Sequence, residues 1–384
     1  MTPRPDPIHH RPGDDYGTDA LLGIEYSQQL RYKERVLGRA MERHRDGIEG
    51  KMKPCLPSPY TSGYRNRGRM AVGLSRHRDG EVRLGYFRPR SREIVDASDC
   101  QILIPELLDT TRAFRRLLER KTRSFPRELR HIDVRCGSDP RHQHMILVVR
   151  SDTRPRLPID AIRQACRYLD GISINLNPSA GPYVLKGPIE PLWGSRDLFV
   201  DSTGLRLRVS AGSFFQVNLD ILPEIHRLMV DFLDHGECLA DLYSGVGTHG
   251  LALRRRFDRL LFVEGVRAAV ADTKATLERY GIDHARVVAR PVERSIDDLL
   301  DARPDAVVMN PSRAGATREV LDALGTSDVR RIAYLSCDPE TLARDLDLLV
   351  RHGFHLVSLQ PIDMMPQTRQ VEALALLERV RSRR

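Results

Sequence analysis

The chain has 384 residues, 41% of them hydrophobic and 29% charged, which suits two or three soluble domains rather than one. No apolar run nears the roughly 20 residues of a membrane helix, and six cysteines without a C-x-x-C pair speak against a zinc ribbon or a thioredoxin-type site. A net charge of +9 suggests a polyanionic partner, although solvated surface charge alone gives the same balance.

Met1 to Asp19 is Pro-, His- and Asp-rich and lacks the apolar core of a signal peptide, so residues 1–20 read as a flexible tail. Sparse cysteine without a signal peptide points to the reduced cytoplasm. Residues 21–48 read as a linker helix, Ile24 to Arg45, with Leu30, Leu37 and Met41 on one side. A central α/β domain follows over residues 49–204. Its first part, Tyr60 to Val95, reads as β-hairpins, with Asp79-Gly80 a turn signal between two strand-like runs. Ile104 to Arg120 is spaced as an amphipathic helix. His131 to Val134 and Met145 to Val149 read as strands, Ile159 to Leu169 as a helix, and Ile172 to Leu176 and Tyr183 to Leu185 as strands. Tyr64-Arg65-Asn66-Arg67-Gly68-Arg69 and Tyr86-Phe87-Arg88-Pro89-Arg90 interleave aromatic and guanidinium groups. That mixture suits single-stranded RNA, with stacking for bases and arginine for phosphates; the alternative is a solvated hairpin face.

From residue 205 to 384 the pattern alternates strand and helix. Strands are expected at Leu239 to Tyr243, Leu260 to Glu264, Arg286 to Ala289, Ala306 to Met309, Arg331 to Ser336, His355 to Leu359 and Glu372 to Leu377. Helices are expected at Arg267 to Tyr280 and Thr341 to His352, with Gly281 and Gly353 where C-terminal caps belong. The pattern predicts a parallel, doubly wound α/β sheet. Before it, Ser213-Phe214-Phe215-Gln216-Val217-Asn218 offers aromatics and amides that could wall a cofactor pocket or simply pack in a core.

The first strand runs into Asp241-Leu242-Tyr243-Ser244-Gly245-Val246-Gly247-Thr248-His249-Gly250. Gly245, Gly247 and Gly250 satisfy G-x-G-x-x-G, and Glu264 ends the next strand, which keeps a dinucleotide reading open. Asp241, four positions before the first glycine, sits where S-adenosylmethionine loops often carry an acid, and S-adenosylmethionine is the favoured ligand over NAD. A glycine turn without a ligand is a third reading. Asn310-Pro311-Ser312-Arg313 ends the fourth strand, offering an amide and a guanidinium. An arginine stands where amino-methyltransferases place an aromatic after N-P-P; an ordinary turn is the plain alternative.

Ser336-Cys337-Asp338-Pro339 closes a strand and opens a helix, with Asp338 as N-cap and Pro339 as first helical residue. A thiol facing a helix N-terminus should have a lowered pKa, and Glu372, in a later strand, could supply a base. A buried, inert cysteine is the competing reading.

These segments resemble those of the RNA 5-methyluridine (uracil-C5) methyltransferases, which act on tRNA or 23S rRNA. The resemblance is carried by Phe214-Phe215-Gln216-Val217-Asn218, Asp241 to Gly247, Asn310-Pro311-Ser312-Arg313-Ala314-Gly315, Ser336-Cys337-Asp338-Pro339 with Thr341 to Leu346, and Pro366-Gln367-Thr368 through Glu372, in family order. It extends more weakly to Gln28 to Lys33 and Tyr64 to Arg67. It implies a Rossmann-like S-adenosylmethionine-dependent domain beside a smaller RNA-recognition domain, in a monomer. Cys337 would be the nucleophile and Glu372 the base. Gln216, Tyr243, Gly245, Gly247, Thr248, Glu264 and Asn310 would line the S-adenosylmethionine site, and Arg313, Arg65 and Arg67 would bind the RNA. Asparagine at position 310, where many relatives have aspartate, points to rRNA rather than tRNA. Thr248, Pro291, Ser312 and Gln370 depart from the usual residues. The chain reads as a short member without the N-terminal oligonucleotide-binding domain, and without an iron–sulfur cluster, since Cys100 lacks the clustered partners such a cluster needs. A catalytically impaired RNA-binding relative and an amino-methyltransferase are the alternative functions.

Overall fold

The computed structural model describes residues 20–42, 49–74, 82–89, 91–179, 181 and 184–379. The Asp79-Gly80 turn, Arg90, Tyr183 and nearly all of the expected tail lie outside the described residues. Among those described, two seven-stranded sheets and one separate hairpin carry the β-structure.

The first sheet contains β1 (Arg67–Leu74), β2 (Val82–Phe87), β3 (Ile94–Asp96), β4 (Leu129–Cys136), β5 (Gln143–Val149), β6 (Leu169–Leu176) and β7 (Ile189–Gly194), in the order β3-β2-β1-β4-β5-β6-β7. Helix Pro105–Arg120 packs Leu107, Phe114 and Leu118 onto one face, against Met70, Ile132, Val134 and Met145. Helix Ile159–Ala165 is shorter than its pattern suggested, because β6 already starts at Leu169. No strand forms at residues 184–185; the chain pairs with β6 only from Ile189. A hairpin of β8 (Asp197–Ser202) and β9 (Leu205–Ser210) follows, so the expected boundary at 204/205 falls in its turn.

The second sheet contains β10 (Gly236–Leu242), β11 (Phe257–Val263), β12 (Ala285–Val288), β13 (Ala306–Met309), β14 (Arg331–Ser336), β15 (Phe354–Ile362) and β16 (Glu372–Arg379), in the order β12-β11-β10-β13-β14-β16-β15. Helices Tyr26–Ala40, Arg318–Thr326 and Pro339–Arg351 cover one face through Leu37, Val320 and Leu346. Helices Leu222–Leu233, Thr248–Leu253 and Arg267–Arg279 cover the other through Ile225, Leu251 and Leu277. This is the doubly wound, Rossmann-like arrangement expected. The sheet is not wholly parallel, however. β16 inserts between β14 and β15 and runs antiparallel to both.

The front helix also differs from its reading. Its buried face is Gln29, Lys33, Leu37 and Ala40, and Leu30 is only half-buried.

Candidate active site

Cys337 follows the last residue of β14, at the edge where parallel strands of a doubly wound sheet present ligands. Ser336 pairs with Ala373, so one further step along each chain brings Cys337 beside Glu372. The inversion of β16 makes this possible. In an all-parallel sheet the first residue of the last strand would lie at the opposite edge from the thiol.

Asp338 caps helix Pro339–Arg351 as expected, its Oδ1 accepting from the backbone N–H groups of Glu340 at 3.1 Å and Thr341 at 3.0 Å. The expected lowering of the thiol pKa is not found. Burial, then the Glu372 charge, pushes the half-buried Cys337 thiol up, against the pull of Arg313. The capping carboxylate of Asp338 itself adds to the upward push. Glu372 is 6% exposed, and burial pushes its carboxyl up to about 7 against the Lys33 and Arg313 charges. A carboxylate of that strength is matched to proton removal at neutral pH. Arg313, whose charge acts on both groups, is held by Gln370, whose Oε1 accepts from its Nη2 at 2.7 Å.

Loop 363–371, leading into Glu372, is tied to the front of the chain. Lys33 and Asp363 form a fully buried ion pair, Lys33 Nζ also donates to Met365 O at 2.9 Å, and Tyr26 Oη donates to Asp363 Oδ2 at 2.8 Å. Gln29 bonds Gln367 through its amide nitrogen and oxygen at 2.9 and 3.1 Å. Tyr64 Oη donates to Pro366 O at 2.9 Å.

At the same sheet edge, the loop after β10 turns through Tyr243, Gly245 and Gly247 with φ of +58°, +56° and +81°. Gly245 N donates to Glu264 Oε2 at 2.8 Å and Val266 N to Glu264 Oε1 at 2.7 Å, which ties β11 to the loop. A Cβ placed on Gly245 meets nothing within 4 Å, so the backbone there is open to a ligand. Gly250 has a different reason: a Cβ would lie 2.5 Å from the Phe262 ring, which marks close helix–strand packing. Gly250 N donates to Asp241 Oδ2 at 2.7 Å, and burial pushes Asp241 up to about 8. Tyr243 Oη donates to Glu293 at 3.0 Å. Asn310, half-buried, and Thr248, buried, stand at the same edge after β13 and β10. Gln216 is buried in the segment joining the sheets, its carbonyl accepting from Asn66 Nδ2 at 3.0 Å. An open glycine turn beside a carboxylate with spare lone pairs suits a ribose-bearing cofactor with a charged tail.

Of the arginines expected to meet RNA, Arg65 reaches loop 363–371, with Nη1 3.6 Å from the Met365 sulfur. Arg67 forks onto Asp133 at 3.0 and 2.6 Å, and Arg69 and Arg135 bond the same carboxylate at 2.7 and 3.2 Å. Three guanidinium groups on one acid leave the patch positive. Arg88 pairs with Glu93 at 2.9 Å. Asp133, Lys33 and Asp363 escaped the sequence reading; the alternation of Arg67, Arg69, Asp133 and Arg135 on paired strands was the signal available for the first. Cys100 is buried in the first sheet's core. Among the described residues no cluster of three or more His, Cys, Asp or Glu could hold a metal, and no helix is long and apolar enough to cross a membrane.

The strength of Glu372 sets a stability test. Its folded pKa near 7 lies above its ordinary value, so the fold prefers the protonated form. The penalty is absent below about pH 4.5, grows between there and 7, and is complete above, at about 3 kcal/mol. Glu372→Gln should therefore raise the denaturation midpoint at pH 8 and leave it unchanged at pH 4. Equal midpoints for both proteins at pH 8 would show that the carboxyl is not strained by burial.

The family described as tRNA (Uracil-5-)-methyltransferase matches residues 194–380. A Gloeobacter violaceus protein named as an uncharacterized RNA methyltransferase is 31% identical over 368 residues, covering 93% of this chain and 79% of its own length. One from Streptococcus agalactiae with the same description is 28% identical over 389 residues, covering 96% and 85%. The crystal structure of Pyrococcus abyssi tRNA (uracil-54, C5)-methyltransferase in complex with S-adenosyl-L-homocysteine superimposes with a TM-score of 0.73 at 24% identity, covering 93% of this chain and 84% of that one, a likeness of fold. With the thiol, the carboxylate and the glycine loop on one sheet edge, these matches establish that the chain belongs to the RNA (uracil-5-)-methyltransferase family.

Proposed function

We propose that the protein methylates C5 of a uridine in structured RNA through a covalent adduct between Cys337 and C6. The observation that carries this reading is the placement of Cys337 beside Glu372 by the antiparallel β16. The Tyr243–Thr248 loop, Glu264, Asn310 and Gln216 would hold S-adenosylmethionine, which would supply an electrophilic methyl group on a sulfonium. Uracil C5 is too weak a nucleophile to take it unaided. Addition of the Cys337 thiolate forms a bond from Sγ to C6 and moves the C5=C6 electron pair toward O4 as an enolate. C5 then takes the methyl group as its bond to the sulfonium sulfur breaks, and the neutral thioether leaves. Glu372 removes the C5 proton, the Sγ–C6 bond breaks, and the double bond returns. Arg313, held by Gln370, offsets the developing negative charge and orients the uracil oxygen. Both reacting groups of the protein must be deprotonated, so turnover should rise with pH through about 7 as Glu372 ionises and keep rising above it as the thiol, held up by burial, does.

Residues 49–204 act as the RNA-recognition part, in a monomer, with Arg65 against loop 363–371 and Arg67 two residues on. The Asn310-Pro311-Ser312-Arg313 segment favours rRNA as the substrate. Two measurements check the reading. Calorimetry should give binding of S-adenosylmethionine and none of NAD; the reverse result would overturn the cofactor assignment. Mass mapping of RNA from a deletion strain should reveal a uridine in rRNA that has lost its methyl group. Loss from tRNA instead would move the substrate, and loss from neither would remove the uracil reading.

A further inference from the structure

The Asp133 patch lies at the catalytic end of the first sheet; a second basic region lies at its other end. β4 starts at Leu129 and β5 ends at Val149, and these residues pair, so segments 120–128 and 150–156 emerge side by side. Between them they carry seven cations and only two acids, Glu128 and Asp152. All seven cations are exposed, and none shares an ion pair with a described residue.

The cations stand on ordered backbone. Phe125 packs edge-to-face on Phe114 with ring centroids 5.6 Å apart. Thr122 Oγ1 donates to Leu118 O at 2.6 Å, and Arg150 N to Glu128 O at 2.8 Å. In the second segment Thr153 N donates to Ser151 Oγ at 3.1 Å, with Pro155 and Pro158 fixing φ nearby. A cluster of uncompensated charge is self-repelling and costs stability unless an anion neutralises it, and rigid presentation lowers the entropy lost on binding one.

We infer that this edge, with Arg123, Arg127 and Arg154 at its centre, is a distal anchor for the phosphate backbone of the RNA substrate. The inference rests on the RNA reading above. Arg135, which pairs with Arg67, is six residues along β4 from Leu129, or about 20 Å. Only an RNA long or folded enough to span that distance from the reacting uridine can use the anchor. A strand of two or three nucleotides cannot.

The experiment compares wild type with Arg123→Glu/Arg127→Glu/Arg154→Glu, by fluorescence anisotropy without cofactor and by methyl transfer separately. The probes are ribosomal RNA fragments of about 100 nucleotides and a single strand of about three, the short probe reaching no more than a few phosphates. Affinity for the long RNA should fall tenfold or more, and its log–log salt slope should lessen by about 2. KM should rise without change in kcat, and the short strand should bind equally to both proteins. The Arg→Lys triple variant should keep wild-type affinity, since charge rather than fork geometry is used. Unchanged long-RNA affinity and salt slope in the glutamate variant would overturn the anchor, as would equal weakening of both probes. Failure of the uridine chemistry would appear instead as RNA binding without methyl transfer in every variant.

Discussion

Replacing Cys337 with alanine is expected to abolish both methylated product and protein–RNA adduct, because it removes the thiol that attacks C6. Glu372→Gln should behave differently. Attack and methyl transfer remain open to it, but the C5 proton stays in place and the Sγ–C6 bond cannot break. The variant should accumulate as a cofactor-dependent covalent complex, with release slowed roughly 10²- to 10⁴-fold, the usual worth of a positioned base. RNA carrying 5-fluorouridine should trap the wild type the same way, since fluorine does not leave as a proton does. On a denaturing gel the shifted band should appear for Glu372→Gln and be absent for Cys337→Ala. Methylation by Cys337→Ala at a normal rate would make the thiol structural and the covalent mechanism wrong.

The second large effect concerns a residue that touches no substrate. Lys33 and Asp363 are both fully buried, and removing one charge leaves the other without compensation, at a cost of about 3–5 kcal/mol. Lys33→Met should lower denaturant stability by that amount. It should also lower kcat, because Lys33 Nζ holds the Met365 carbonyl in the loop that delivers Glu372. Adding Asp363→Leu should recover most of the stability, since two apolar side chains of similar volume replace a buried pair at little net cost. It should not recover kcat, because the bond to Met365 is still missing. A loss below about 1 kcal/mol in the single variant would mean that water reaches Asp363.

The sequence made the positions of the Cys337 thiol, the capping aspartate and the glycine loop legible because each sits at a junction where strand period gives way to helix period. β13 and β14 lie where the apolar runs placed them, at Ala306–Met309 and Arg331–Ser336. The direction of β16 was not legible. Glu372 to Leu377 is apolar after its first residue, and such a run reads the same in either orientation. Gln29 and Lys33 were hidden for another reason: polar residues on a helix ordinarily face water, and only the partners Gln367 and Asp363, more than 300 residues away, draw them inside. The thiol was misjudged because the helix terminus is local in sequence, while Glu372 and the burial that outweigh it are supplied by the tertiary fold.

The bonds from helix Tyr26–Ala40 to loop 363–371 also fix an order of assembly. They close a ring of some 330 residues, whose entropy cost is met only when both ends are already held near one another. The two sheets can form from shorter-range pairings; the loop that delivers the carboxylate locks afterwards. A chain caught between these stages already has its thiol, its carboxylate and its cofactor turn on one sheet edge, but loop 363–371 beside them is not yet held. The last bonds to close hold the Met365 carbonyl and the Gln367 backbone, so the front-to-back closure finishes the wall of the site after its reacting groups are set.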